Sequence, residues 1–126
     1  MVMVLEVEMV EAIASIGRFR APAEACGILL PYPIHGRSVW ELPNRSLTPH
    51  DSFEMTGQDM MGLFERLNMD HEVIQKLIDA GGFTAWHTHP EGNVGPSLYD
   101  LQNKPAHLKS LVVSLPEKGR PLATWY

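Results

Sequence analysis

Apolar residues along this chain change period several times, and the changes mark out its elements. Met9, Val10, Ile13 and Ile16 recur near helical spacing and predict a first helix over residues 9–17, with Gly17 as its stop. Beyond Ala21-Pro22 the run Ala25-Cys26-Gly27-Ile28-Leu29-Leu30 is almost wholly apolar and bounded by prolines, the pattern of a strand buried on both faces, with Glu24 at its start. Residues 38–42 and 52–55 read as strands, joined by the polar stretches 43–46 and 48–51. From Thr56 onward, Met60, Phe64, Leu67, Ile74 and Ile78 recur at steps of three or four residues or their multiples. They predict a long amphipathic helix ended by Gly81-Gly82, with a break near Asn68 to Asp70 as the alternative to a continuous one. Met55, Met60, Met61 and Met69 fall on this pattern as packing residues rather than as ligands for a soft metal. Residues 83–89 predict a strand, followed by a Gly/Pro loop and a helix that opens at Ser97 and is closed by Pro105. Residues 111–115 and 121–126 predict a last pair of strands across the turn 116–120. The order describes a mixed α/β layout with a curved sheet between helices.

At 126 residues the chain makes a single domain over 1–126, large enough to bury one core without disulfides. Its lone cysteine, Cys26, has no internal partner, which suits a reducing compartment and makes cytoplasm the expected location. The first fifteen residues carry acids within their apolar run and no basic leading segment, so they read as folded chain rather than signal peptide. No uninterrupted apolar run reaches membrane-spanning length. A net charge of -5 with scattered basic residues speaks against a nucleic-acid backbone as partner, because such binding needs clustered Lys and Arg.

The chemistry concentrates in His87-Thr88-His89-Pro90, followed by Ser97 and Asp100. Side chains alternate faces along a strand, so His87 and His89 point the same way and can bind one ion together while Thr88 points away. Two imidazoles and the Asp100 carboxylate are three ligands, the number a catalytic zinc site uses when its fourth position stays open. Ser97-x-x-Asp100 is also an ordinary helix-start signature. Cys26 as a nucleophile is a poor rival, since a thiol within an apolar strand is usually inert. A cupin would need a glutamate later than Glu91, and a zinc deaminase would need H-x-E with a later P-C-x-x-C, which the chain lacks. His35, His50, His71 and His107 have no partner pattern and read as surface or loop residues.

The string H-T-H-P-x6-S-x-x-D resembles the motif of the JAMM metalloproteases, the zinc-dependent branch of the MPN-domain family, at every fixed position. Glu24-Ala25-Cys26-Gly27 fits the upstream E-x-x-G segment of that family. The resemblance implies an MPN fold over nearly the whole chain and one zinc ion per chain held by His87, His89 and Asp100. It implies Glu24 as general acid/base and Ser97 as support for the developing oxyanion. It also implies hydrolysis of an isopeptide or peptide bond after the C-terminal tail of a ubiquitin-like protein. The chain is minimal beside the eukaryotic deubiquitinases, with little sequence for insertions that grip ubiquitin. It is more similar to compact prokaryotic members acting on ubiquitin-like or sulfur-carrier proteins, and to the JAMM domain of phage tail-assembly proteins. The family pattern also admits a homodimer. The competing expectation is a non-catalytic MPN-like scaffold in which a metal only holds the loop after His89, for example within phage tail-assembly components.

Overall fold

The computed structural model describes residues 5–79, 83–104 and 109–126. Helix α1 (Val7–Arg20) leads into strands β1 (Cys26–Ile34) and β2 (Arg37–Leu42). Helices α2 (Gly57–Arg66) and α3 (His71–Asp79) follow, then β3 (Thr84–His89), the short α4 (Leu98–Gln102), β4 (Lys109–Ser114) and β5 (Leu122–Trp125). The strands form one five-stranded sheet in the order β2-β1-β3-β4-β5. Only β3 and β4 run parallel; the other neighbouring pairs are antiparallel. The segment containing α4 makes the crossover between them, as a parallel pair requires. The mixed α/β class expected from the sequence is therefore present.

Alternation along the strands divides the core in two. Leu29, Trp86, Leu111 and Val113 face one side and pack with Ile13 and Ala14 of α1. Ile28, Leu30 and Leu42 face the other side and pack with Leu63 and Phe64 of α2 and Ile74 and Leu77 of α3. Burying each such side chain contributes about 1.5–3 kcal/mol, so two helical layers on one sheet account for the central strands being apolar throughout. Residues 25–30 are fully covered as expected. Met55, Met60 and Met69 pack against the second cluster, which agrees with their reading as packing residues.

Four details depart from the sequence reading or refine it. The first helix does not stop at Gly17 but runs on to Arg20. A Cβ at Gly17 would lie 2.7 Å from Thr88 Cγ2, so this glycine lets α1 approach the sheet closely and is no helix stop. The long helix is not continuous: it breaks between Arg66 and His71, the alternative that the sequence left open. Asn68 takes a positive φ of 56°, and Asp70 accepts a hydrogen bond from Val73 N–H at 2.9 Å to start α3. Residues 52–55 are not a strand. They belong to a connection built around the amide of Asn44, which donates to Glu24 O (2.9 Å) and Ser52 O (3.0 Å) and accepts from Ser46 N–H (3.0 Å) and Glu54 N–H (3.1 Å). A side chain that supplies these four bonds satisfies backbone that would otherwise seek a sheet neighbour. Helix α4 begins after Ser97, which caps it as expected, while the stops assigned to Gly81-Gly82 and Pro105, and the placing of His107, lie outside the described residues. No described helix is long and apolar enough to cross a membrane.

Candidate metal centre

The pleat of β3 decides what faces the centre. Trp86 and Thr88 point toward α1, and His87 and His89 point to the opposite side. Thr88 is fully buried, and its hydroxyl accepts from Ala25 N–H at 2.9 Å while its own N–H donates to Ala25 O at 3.0 Å. These bonds tie the end of β3 to the start of β1, which sets Glu24 beside the histidines. Gly27 belongs to the same arrangement: a Cβ there would run into the Trp40 backbone carbonyl of β2 and come within 2.6 Å of Trp86 Cζ2, so this glycine makes room for both the neighbouring strand and the indole.

Asp100 arrives from the first turn of α4. Ser97 is the N-cap; its Oγ accepts from Asp100 N–H at 3.1 Å, and its own N–H donates to Asp100 Oδ2 at 2.9 Å. The helix-start and site readings of Ser97-x-x-Asp100 are thus the same geometry, because the capping box turns the carboxylate toward β3. Asp100 Oδ2 lies 3.0 Å from His87 Nε2 and 3.1 Å from His89 Nε2, and the two Nε2 atoms are 3.2 Å apart. Donor atoms about 2.0–2.1 Å from a tetrahedral zinc would lie about 3.3 Å from one another, so the three atoms already sit near the edge length of such a site. Adding Glu24 gives four buried residues whose ligand atoms all lie within 4.8 Å of one another, a group able to bind a metal ion.

Outer contacts orient both imidazoles. His89 Nδ1 lies 3.0 Å from Asn93 O, a carbonyl that can only accept, so Nδ1 carries a proton, and in the neutral ring the lone pair of Nε2 then faces inward. Ser114 Oγ donates to the same carbonyl at 2.6 Å, anchoring the loop after His89 to β4. His87 Nδ1 lies 3.2 Å from Tyr126 Oη, and Phe53 stacks on the His87 ring at 4.2 Å between centroids. With both Nε2 atoms bare, they and the carboxylate oxygen, turned toward one point, would repel unless a cation, a proton or a metal ion, stood among them.

The charges follow from burial. Burial pushes Glu24 up from 4.5 to about 7; the nearby His89 opposes the rise, while the charges of Asp100, Asp51 and Glu91 add to it. Burial also acts to raise Asp100, but its hydrogen bonds with His87 and His89 outweigh this and hold the carboxyl well below its usual range. Burial lowers His87 below the ordinary imidazole value. His89 is raised despite its burial, because Asp100, the Asn93 carbonyl and the Glu24 charge favour its protonated form. Cys26 is buried and its thiol is pushed up to about 12, mainly by burial, so it supplies no nucleophile here.

Glu24 Oε1 is buried without a hydrogen-bond partner among the described residues. The same residue lines a cavity of about 310 Å³ together with His89, Ser97, His50, Asp51 and Glu91. The structure thus brings Glu24, His87, His89, Ser97 and Asp100 together. The sequence reading did not find Asn44, Phe53, Thr88, Asn93 or Tyr126 as parts of the centre. Only Thr88 carried a local signal, its place between the histidines; the others meet the centre through loops or a distant strand.

No family model matches the chain, and no curated protein matches it. The fold is similar to that of protein DSY2949 from Desulfitobacterium hafniense, known from its solution structure. The two agree with a TM-score of 0.69 over 98% of this chain and 82% of that chain, at 21% sequence identity. A likeness at that identity speaks for the fold alone.

Proposed function

We propose that this chain is a JAMM-type, MPN-fold zinc isopeptidase or peptidase that cleaves an amide bond after the tail of a ubiquitin-like or sulfur-carrier protein. The observation that carries the reading is the convergence of His87 Nε2, His89 Nε2 and Asp100 Oδ2, within 3.0–3.2 Å of one another, beside a buried oxygen of Glu24 that has no hydrogen-bond partner among the described residues. A histidine–histidine–carboxylate set suits zinc and leaves one coordination position for chemistry. When bound there, zinc would act as a Lewis acid, polarising the scissile carbonyl and making a water acidic enough to attack near neutral pH.

The chain's own groups supply the rest. Glu24, with its proton affinity raised to about 7, accepts a proton from the attacking water at neutral pH and returns it to the departing amine. Ser97 Oγ accepts within the capping box, which leaves its O–H to donate toward the cavity that it lines, where the oxyanion would develop. The cavity has Asp51 and Glu91 at its wall and no described Lys or Arg, which favours a neutral or cationic leaving group. The outer strands β2 and β5 are the places where an extended tail could add to the sheet.

The test has two arms. Protein purified without added metal is assayed for zinc beside Asp100→Ala, with about one zinc per chain expected in the first and little in the second. Zinc-loaded protein and Glu24→Gln are then compared on ubiquitin-like and sulfur-carrier proteins extended by an amide-linked tag. Cleavage abolished in Glu24→Gln, with zinc retained, supports the enzyme. Failure of folded wild type to take up zinc overturns it, and zinc uptake with equal function of wild type and Glu24→Gln favours the scaffold.

A further inference from the structure

The last strand of the sheet brings a phenol to the outer side of a metal-facing histidine. Tyr126 exchanges backbone hydrogen bonds with Ser110, its N–H donating to Ser110 O at 2.9 Å and its O accepting from Ser110 N–H at 3.3 Å. Held in this way, its Oη reaches 3.2 Å from His87 Nδ1, with the two rings nearly perpendicular at 88°. On the neighbouring face Phe53 stacks on the same imidazole, with 19° between the planes. His87 is fully buried, so a proton on Nδ1 has no water to receive it.

We infer that Tyr126 is a positioning residue for the metal centre: its hydroxyl oxygen accepts the Nδ1 proton of His87 and so keeps the Nε2 lone pair turned toward Asp100 and His89. This inference rests on the metal-site reading above. His89 has a backbone carbonyl, fixed as an acceptor, in the equivalent place. His87 has a hydroxyl, which can accept when Nε2 is a ligand and donate when Nε2 carries the proton toward Asp100. One rotor therefore satisfies His87 in both the loaded and the metal-free protein, without moving a ring packed between Phe53 and Tyr126. A phenylalanine would keep the packing and leave the Nδ1 proton without a partner.

The test is zinc affinity, measured by chelator competition on the full chain for wild type and Tyr126→Phe, with the urea stability of both metal-free forms recorded beside it. Loss of an outer partner of a ligating histidine typically costs about 10–100-fold in metal affinity, and a loss of at least about tenfold with little change in metal-free stability is expected. Nitrogen NMR of zinc-loaded wild type gives a check that needs no variant: His87 should carry its proton on Nδ1 and be ligated through Nε2. Equal zinc affinities, or ligation of His87 through Nδ1, would overturn the assignment while leaving the metal site standing. A folded wild type that takes up no zinc would overturn both.

Discussion

Replacing Glu24 by glutamine should stabilise the metal-free protein at high pH and leave its stability almost unchanged at low pH. The Glu24 carboxyl is buried, one of its oxygens lacks a partner among the described residues, and its pKa rises from 4.5 to about 7. Between those values the native protein binds a proton that the unfolded chain has released, so stability falls as pH rises through that window. Above about pH 7 the native carboxylate is ionised and the full cost is present. A rise of that size corresponds to about 3 kcal/mol at about 1.36 kcal/mol per unit; water in the adjoining cavity screens part of it, leaving about 2–3 kcal/mol. Glutamine carries no charge at any pH and does not meet the cost. Urea unfolding in the presence of a chelator, at pH 4.5 and pH 8, measures the difference. With a urea slope of about 1–3 kcal/mol/M, the variant's midpoint should exceed that of wild type by about 0.7–3 M at pH 8 and by little at pH 4.5. A gap that is the same at both pH values, or a wild type that is the more stable at pH 8, would refute the burial argument. Added zinc should shrink or reverse the gap, since a carboxylate facing a cation is stabilised by it.

Three further outcomes follow from the fold. Cys26, with its thiol pushed up to about 12 and its side chain buried, should resist alkylation at pH 8 in native protein and react readily in urea; fast native labelling would show that β1 opens. Gly27→Ala drives a methyl into the Trp40 backbone carbonyl of β2 and within 2.6 Å of Trp86 Cζ2, and thermal or urea unfolding should show a loss of about 1–3 kcal/mol or more; a neutral result would mean that β1 can shift from β2 and from the indole without cost. Asn44→Ala removes four hydrogen bonds at about 1 kcal/mol each, so a loss of about 2–4 kcal/mol is expected, with faster proteolysis near residues 45–53; unchanged cleavage there would show that the connection is held by other contacts.

What could be seen in the sequence by itself was everything that depends on spacing within one element. The two-residue step from His87 to His89 sets both rings on one face of a strand, the three-residue step from Ser97 to Asp100 builds the capping box, and the apolar run of residues 25–30 demands cover on both faces. The break in the long helix was visible for the same reason, since Asn68 and Asp70 are residues that favour a left-handed turn and a helix start. The misread pieces were those decided by contacts between elements. Gly17 looked like a helix stop because only the packed structure brings Thr88 against it. Residues 52–55 looked like a strand because their apolar alternation is real, yet the Asn44 amide satisfies the backbone there. Glu24 acquires its raised proton affinity, and His87 its hydroxyl partner, only once β1, β3 and β5 lie in one sheet. Periodicity is a property of neighbours along the chain, whereas desolvation and hydrogen-bond partnership belong to neighbours in space, and only the tertiary structure supplies those.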